Sequence, residues 1–99
     1  MQKKARSPQV NIEIEGQTLP VVEHLYSLAY LARVFKVGES DAQDAYLTID
    51  VNDAYDWLDE NVGEGFYGDI AIYDISFPSQ REPTLLKTLS GTRRRPATA

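Results

Sequence analysis

The chain has 99 residues, is 42% apolar and 10% aromatic, and carries a formal net charge of −5. That length and apolar content suit one folded domain with a single modest core and argue against a disordered chain. No apolar run approaches the roughly 18 residues of a membrane-spanning helix, and the absence of Cys excludes disulfides, thiolate metal sites and Cys nucleophiles.

Residues 1–8 are polar and basic, with no apolar stretch behind them, so a flexible arm is expected and not a secretory signal. In "VNIEIEG", Val10, Ile12 and Ile14 alternate with Asn11, Glu13 and Glu15, the pattern of a strand with one buried face. Gly16 and Gln17 form a turn, and Thr18–Val22 is a short return strand that Pro20 confines to an edge. In "VVEHLYSLAYLARVFKVG", Leu25, Leu28, Leu31, Ala32 and Phe35 share one face at helical spacing, which predicts an amphipathic helix of about four turns ended by Gly38. "ESDAQD" is a polar loop, and "AYLTIDV" alternates as a second half-buried strand with Ala45, Leu47, Ile49 and Val51 inward.

A second helix is predicted over residues 52–61, with Asn52 or Asp50 as its cap and Val51, Tyr55, Leu58 and Val62 as its buried stripe. "GEG" ends it. "GDIAIYDISF" is apolar on both faces at its start and suits a central strand. "EPTLLKTLSG" is expected to form one helical turn docking Leu85, Leu86 and Leu89, and "TRRRPATA" a disordered tail. The expected fold is α+β: a small two-layer α/β sandwich in β(β)αβαβ order, its three- or four-stranded sheet under two helices, with parallel pairing through the helical crossovers and flexible basic termini. The organisation is an arm over 1–8, a single acidic domain over 9–78, and a C-terminal extension over 79–99.

The modest net charge conceals a segregation. Eight of the ten bases lie before residue 9 or after residue 78, and between those limits fourteen acids meet only Arg33 and Lys36, a net of −12. From Val37 to Pro78 there are eleven acids and no base. Such a layout bears on steering and partners, not on fold.

Catalytic signatures do not emerge from the sequence. His24 is the sole His and no nucleophile elbow accompanies it. "GEGFYG" precedes a strand, so its amides do not converge at a helix N-terminus as a phosphate loop requires. With Asp50 as the first position of an EF-hand loop, Asn52 fits the third, but Ala54, Tyr55 and Asn61 fail the fifth, sixth and twelfth. Paired carboxylates of the glycosidase kind would need a cleft for which a chain this short offers little wall. No enzyme activity, metal or cofactor is expected.

The second helix offers a surface instead. With its apolar stripe buried, Asp53, Asp56 and Glu60 line the other side, about 4.5–6 Å apart along the axis. Trp57 flanks them, Asp50 lies just before, and Asp59, Glu64 and Asp69 extend the patch. Like charges at these spacings cost about 0.2–0.5 kcal/mol per pair, and no lysine relieves them, in a domain expected to hold only about 5–15 kcal/mol of net stability. A competing explanation is that the acids only solubilise the surface while the basic tails fold back as counter-charge. Tyr26 and Tyr30, with Arg33, form a second candidate interface on the first helix. The run Arg93–Arg95 could touch phosphates, but the acidic body repels the same backbone, so direct nucleic-acid binding is not expected.

No motif defines a family. In size and charge the chain resembles the small acidic single-domain proteins, antirestriction and anti-CRISPR proteins among them, with which phages and mobile elements block host nucleic-acid-binding enzymes. "GDIAIYDISF" is similar over a few residues to a stretch of ArdA-type antirestriction domains, and the overall character is similar to bacterial immunity proteins against basic nuclease toxins. These resemblances transfer no site. They imply a non-enzymatic, protein-binding inhibitor in the cytoplasm (of the host cell, if phage-encoded), with an acidic face mimicking nucleic acid and a basic protein surface as partner. The alternative is a structural or assembly subunit of a virion or multi-protein complex.

Overall fold

Hydrophobic alternation sets most of the architecture. The computed structural model describes residues 9–22 and 25–91. Six strands and one helix occur in the order β1 (Gln9–Ile14), β2 (Gln17–Val22), β3 (Leu28–Lys36), β4 (Ala42–Thr48), α1 (Val51–Asn61), β5 (Phe66–Asp74) and β6 (Thr84–Ser90). The predicted arm over 1–8, the tail from 92 onward and His24 lie outside the described residues.

β1 and β2 form an antiparallel hairpin with Ile14 opposite Gln17, so the loop is Glu15-Gly16. Both loop residues have positive φ, 47° and 84°. That is the backbone of a two-residue hairpin turn whose twist matches its strands, and glycine takes its share without steric cost. Pro20 sits opposite Asn11 in β2, which pairs only with β1 among the described residues, as a strand proline requires.

The first predicted helix does not form. Its residues make β3, the central strand of an antiparallel sheet ordered β4-β3-β5-β6. The run Ala29–Phe35 is apolar at nearly every position, so it satisfies a helical stripe and a strand buried on both faces equally well. Tertiary pairing decides the matter: β3 is laddered to β4 on one side and to β5 over its whole length on the other. Ala29 and Leu31 then face one layer, and Ala32 and Val34 the other.

The expected parallel pairing is also replaced. Every ladder is antiparallel. β4 and β5 both run against β3, hence parallel to each other with β3 between them, and α1 is the connection that spans this gap. "TLLKTLS" is not a helical turn but the strand β6, paired with β5. Its Leu89 packs with the helix-side core, while Leu85 and Leu86 stay exposed.

The sheet is covered on both faces, so a two-layer sandwich with two helices gives way to an α+β arrangement of hairpin, sheet and single helix. On one face Ile12, Ile14 and Val21 of the hairpin pack against Ala29, Leu31, Leu47, Ala71 and Ile75. On the other, Ala54 and Leu58 of α1 pack against Ala32, Val34, Ile70 and Ile72, with Tyr30, Tyr46, Tyr55, Trp57, Val62 and Leu89 at the margin. α1 lies over β3 and β4.

Gly68 lets the C-terminal half of α1 settle onto the sheet. A Cβ there would stand 2.8 Å from Leu58 Cδ2, 3.0 Å from Val62 Cγ2 and 3.1 Å from the Arg33 carbonyl oxygen. Gly68→Ala should therefore cost roughly 1–3 kcal/mol, the usual range for an overpacked core, read as a lower urea midpoint at unchanged slope. An unchanged midpoint would contradict this packing.

Candidate protein-binding face

α1 starts where β4 ends because two side chains interrupt the ladder. Asp50, in extended conformation, caps the helix: its Oδ1 accepts from the Asn52 amide at 2.9 Å. Thr48 Oγ1 accepts from the Asp50 amide at 3.1 Å, which fixes the cap residue itself. Asp53 in the first turn accepts from Tyr46 Oη at 2.6 Å and from Thr48 Oγ1 at 3.0 Å, and the bond to Asp53 raises the Tyr46 phenol above its ordinary range. Asp50 and Asp53 thus tie α1 to β4, and both favour the positive helix N-terminus.

Trp57 is half-buried and stacks on Tyr46, with ring centroids 5.7 Å apart. It fills the margin of the helix-side core, so only part of its ring is open beside the acidic side that the sequence has it flank.

The outward acids of α1 are Asp56, Asp59 and Glu60, all exposed, and Glu64 is exposed in the turn beyond the helix. The last turn of α1 contains no base. The negative pole of the helix dipole therefore adds to these carboxylates and meets no intrahelical counter-charge. Two open recesses flank this end. One, of about 320 Å³, is lined by Asp44, Asn61, Glu64 and Phe66, with Val34 and Gln43. The other, of about 420 Å³, is lined by Leu58, Asp59, Val62, Phe66 and Tyr67 beside Ser90 and Gly91. Phe66 belongs to both and is 39% exposed; Tyr67 is 46% exposed and stacks on Phe35 at 5.1 Å.

Asp69 does not join this face. It lies on the hairpin side of β5, opposite Arg33 in the ladder, and takes a bidentate pair from Arg33 Nε and Nη2, both at 2.8 Å. Arg33 Nη1 reaches Glu15 Oε2 at 3.1 Å, and Tyr73 Oη donates to the same oxygen at 2.9 Å. This four-residue cluster joins the hairpin turn to two strands of the sheet. The bond to Asp69 pushes the Arg33 guanidinium still further above its ordinary value, and burial, then the bond to Glu15, pushes the Tyr73 phenol up to about 12.

The second predicted interface does not assemble. Tyr30 and Arg33 project from opposite faces of β3: Tyr30 packs at the helix-side core, and Arg33 joins the cluster on the hairpin side. Tyr26 is exposed in the segment before β3.

Phe66, Tyr67 and Asp44 escape sequence reasoning. "FY" between Gly65 and Gly68 is the available signal: two aromatics opening a strand just after an acidic helix. Asp44 carries none, because its closeness to Glu64 is created by the β3–β4 pairing. Among the described residues no group of three or more His, Asp and Glu is gathered as a metal site, and no helix is long and apolar enough to cross a membrane. Comparison with protein-family models, curated proteins and solved structures finds no match to this chain.

Two outcomes separate structural from outward acids. Asp53→Asn should destabilise the fold by about 1–3 kcal/mol, since it weakens the acceptor of two hydroxyl groups, whereas Asp59→Asn should stay within about 0.5 kcal/mol, as exposed changes do; equal losses in urea melts would refute the distinction. The second concerns alkaline pH. Folding raises the Tyr73 pKa from 10.0 to about 12, so the native state holds this proton more tightly than the unfolded chain. The resulting stability is complete below pH 10.0 and fades as pH rises through about 12. An ultraviolet tyrosinate titration should show a late transition that Tyr73→Phe abolishes; an identical curve for the variant would disprove the assignment.

Proposed function

We propose that this chain is a binding protein that acts by occupancy and not by catalysis, presenting the outer side and C-terminal end of α1 to a cationic groove on a nucleic-acid-binding enzyme. The observation that carries this reading is the convergence of exposed Asp56, Asp59, Glu60 and Glu64 with a helix end that has no base in its last turn. Each helical step of three or four residues spaces the carboxylates about 4.5–6 Å along the axis, a scale on which carboxylates can stand in for successive phosphates. Asp50 extends the row at the other end of the helix, and Asp53 supports it from beneath.

Affinity needs apolar contact as well as charge. Charge complementarity chiefly steers and orients encounter, while desolvated aromatic anchors supply most of the energy. Phe66 supplies the apolar anchor in this reading, beside the half-buried Trp57. It is exposed, it lines both recesses, and carboxylates stand on either side of it. A guanidinium entering either recess would meet a carboxylate and an aromatic ring together, a combination that suits Arg better than Lys. Among the described residues four bases face fourteen acids, so the folded body is repelled by nucleic acid and attracted to what binds it.

The test is capture at two ionic strengths. Immobilised protein should retain nucleic-acid-binding enzymes from a cell lysate at low salt, release them at roughly 0.5 M, where exposed charges are screened within a few ångströms, and lose them to competing duplex DNA. The triple variant Asp56→Asn, Asp59→Asn, Glu60→Gln should fold normally and retain at most a tenth as much. Unchanged retention by the triple variant would sink the reading.

A further inference from the structure

The recess of about 420 Å³ at the C-terminal end of α1 is also where the chain leaves the sheet. Leu58 and Val62 of α1 and Phe66 and Tyr67 of β5 line it, together with the exposed Asp59, and Ser90 and Gly91 complete the lining. The Gly91 amide donates to the Gly68 carbonyl oxygen at 3.0 Å. The approach is so close that a Cβ on Gly91 would stand 2.5 Å from that same oxygen, so only glycine fits. This contact holds the end of β6 against the recess. Whatever follows Gly91 therefore starts at the recess, and the sequence that follows is TRRRPATA.

We propose that Arg93–Arg95 of the same chain occupy this recess, with guanidinium groups against Asp59 and the exposed ring of Phe66. Covalent reach leaves them little choice of neighbourhood. Each residue advances the chain by at most about 3.6 Å, so the Arg93 Cα lies within about 7 Å of the Gly91 Cα and the Arg95 Cα within about 15 Å. A tether this short keeps the three guanidiniums at a roughly millimolar effective concentration. The chemistry of the recess fits them. Leu58 and Val62 offer apolar wall to the aliphatic stems, Phe66 offers a ring face to a planar cation, and Asp59 offers a carboxylate to its fork of donors.

The charge of the folded body points to the same occupant. Of the four bases among the described residues, Arg33 is taken by Asp69 and Glu15 and Arg81 by Asp74, while Lys36 and Lys87 line neither recess. The N-terminal bases Lys3, Lys4 and Arg6 precede β1, which packs on the face of the sheet opposite α1. Arg93–Arg95 are the bases that the chain delivers to the acidic end of the helix. Phe66 also lines the neighbouring recess beside Asp44 and Glu64, so a second arginine finds carboxylates within the same short reach. The α1 face thus carries its own displaceable cationic cover. A cationic partner has to displace it, and its apparent affinity falls by the fraction of chains in which the recess is open. That consequence rests on the function proposed above; the docking itself does not.

The test uses the full chain, whose lack of Cys allows a single nitroxide to be attached at Ala97→Cys. The amide resonances of Asp59, Val62 and Phe66 should broaden. Adding Arg93→Gln, Arg94→Gln and Arg95→Gln to the labelled chain should weaken that broadening at least twofold. The second readout is the affinity of the unlabelled chain for a hexa-arginine peptide. The same three Gln substitutions should tighten it at least threefold. Lys3→Gln, Lys4→Gln and Arg6→Gln, which remove equal charge near the other terminus, should tighten it less than twofold. Equal broadening with and without the arginines, or equal gains from the two triple variants, would each overturn the proposal. Neither readout involves an enzyme, so failure to capture one from lysate would count against the proposed function and leave the docking standing.

Discussion

Burying both faces of a strand is possible only when both of its hydrogen-bonding edges are occupied. Unpaired amides and carbonyls beneath two apolar layers would each cost about 1–3 kcal/mol. β3 is the segment on which this constraint falls. Ala29, Leu31, Ala32, Val34 and Phe35 are all buried, and β4 and β5 supply the two ladders. The remainder follows from that arrangement. The chain leaves β4 on one side of β3 and must reach β5 on the other, so a connection crosses a covered face, and α1 is that connection. The opposite face is then left for a layer formed elsewhere in the chain, and the β1–β2 hairpin fills it with Ile12, Ile14 and Val21.

The charges divide along the same lines. Arg33, on β3, is the one base among the described residues placed where two layers meet, and it takes up Asp69 and Glu15. A bidentate guanidinium suits this position because it satisfies an acid on a neighbouring strand and one on the hairpin turn at once. Glu15 adopts a left-handed backbone at the turn, a conformation that costs a non-glycine residue roughly 1–2 kcal/mol. The carboxylate it delivers to Arg33 and Tyr73 offsets that cost. Asp50 and Asp53 are likewise consumed by structure, one as a cap and the other as an acceptor for β4 hydroxyls. The acids that tie no layer to another are the exposed ones on the outer side and far end of α1.

This division explains what was legible in the sequence. β1 and α1 were plain because their inward and outward positions separate: Ile12 and Ile14 against Glu13 and Glu15, and Leu58, with Val51, Tyr55 and Val62 half-buried beside it, against Asp56 and Glu60, although the fully buried Ala54 was not in the expected stripe. The position of the central strand after the helix was also legible, from the run Ile70–Ile72. β3 was not, because an apolar run without alternation carries no period, and its identity depends on partners far away in the chain. β6 failed for a related reason. With Leu85 and Leu86 adjacent and a bulge at Leu86 between the paired positions Leu85 and Lys87, its pattern matches neither period. The candidate site was legible in its helical acids and illegible in its depth. Asp53, Asp69 and Trp57 look like surface residues until their partners Tyr46, Arg33 and the helix-side core are known.

A further consequence concerns the stability of the acidic face. Asp56, Asp59 and Glu60 repel one another on a helix whose last turn has no base, and an isolated helix of eleven residues is marginal in water. The helix persists because its other side is anchored at several points: the Asp50 cap, the Asp53 bonds to β4, the Tyr46–Trp57 stack, and Leu58 resting over Gly68. Anchors at the N-terminal turn concentrate structural carboxylates where the dipole favours them, so those acids stabilise the helix. Of the outward acids, Asp59 and Glu60 stand in the last turn, where the dipole disfavours them, so they do not. The helix thus separates its carboxylates by energetic role along its length, and relief of the unfavourable set is free energy that a cationic partner would recover on binding.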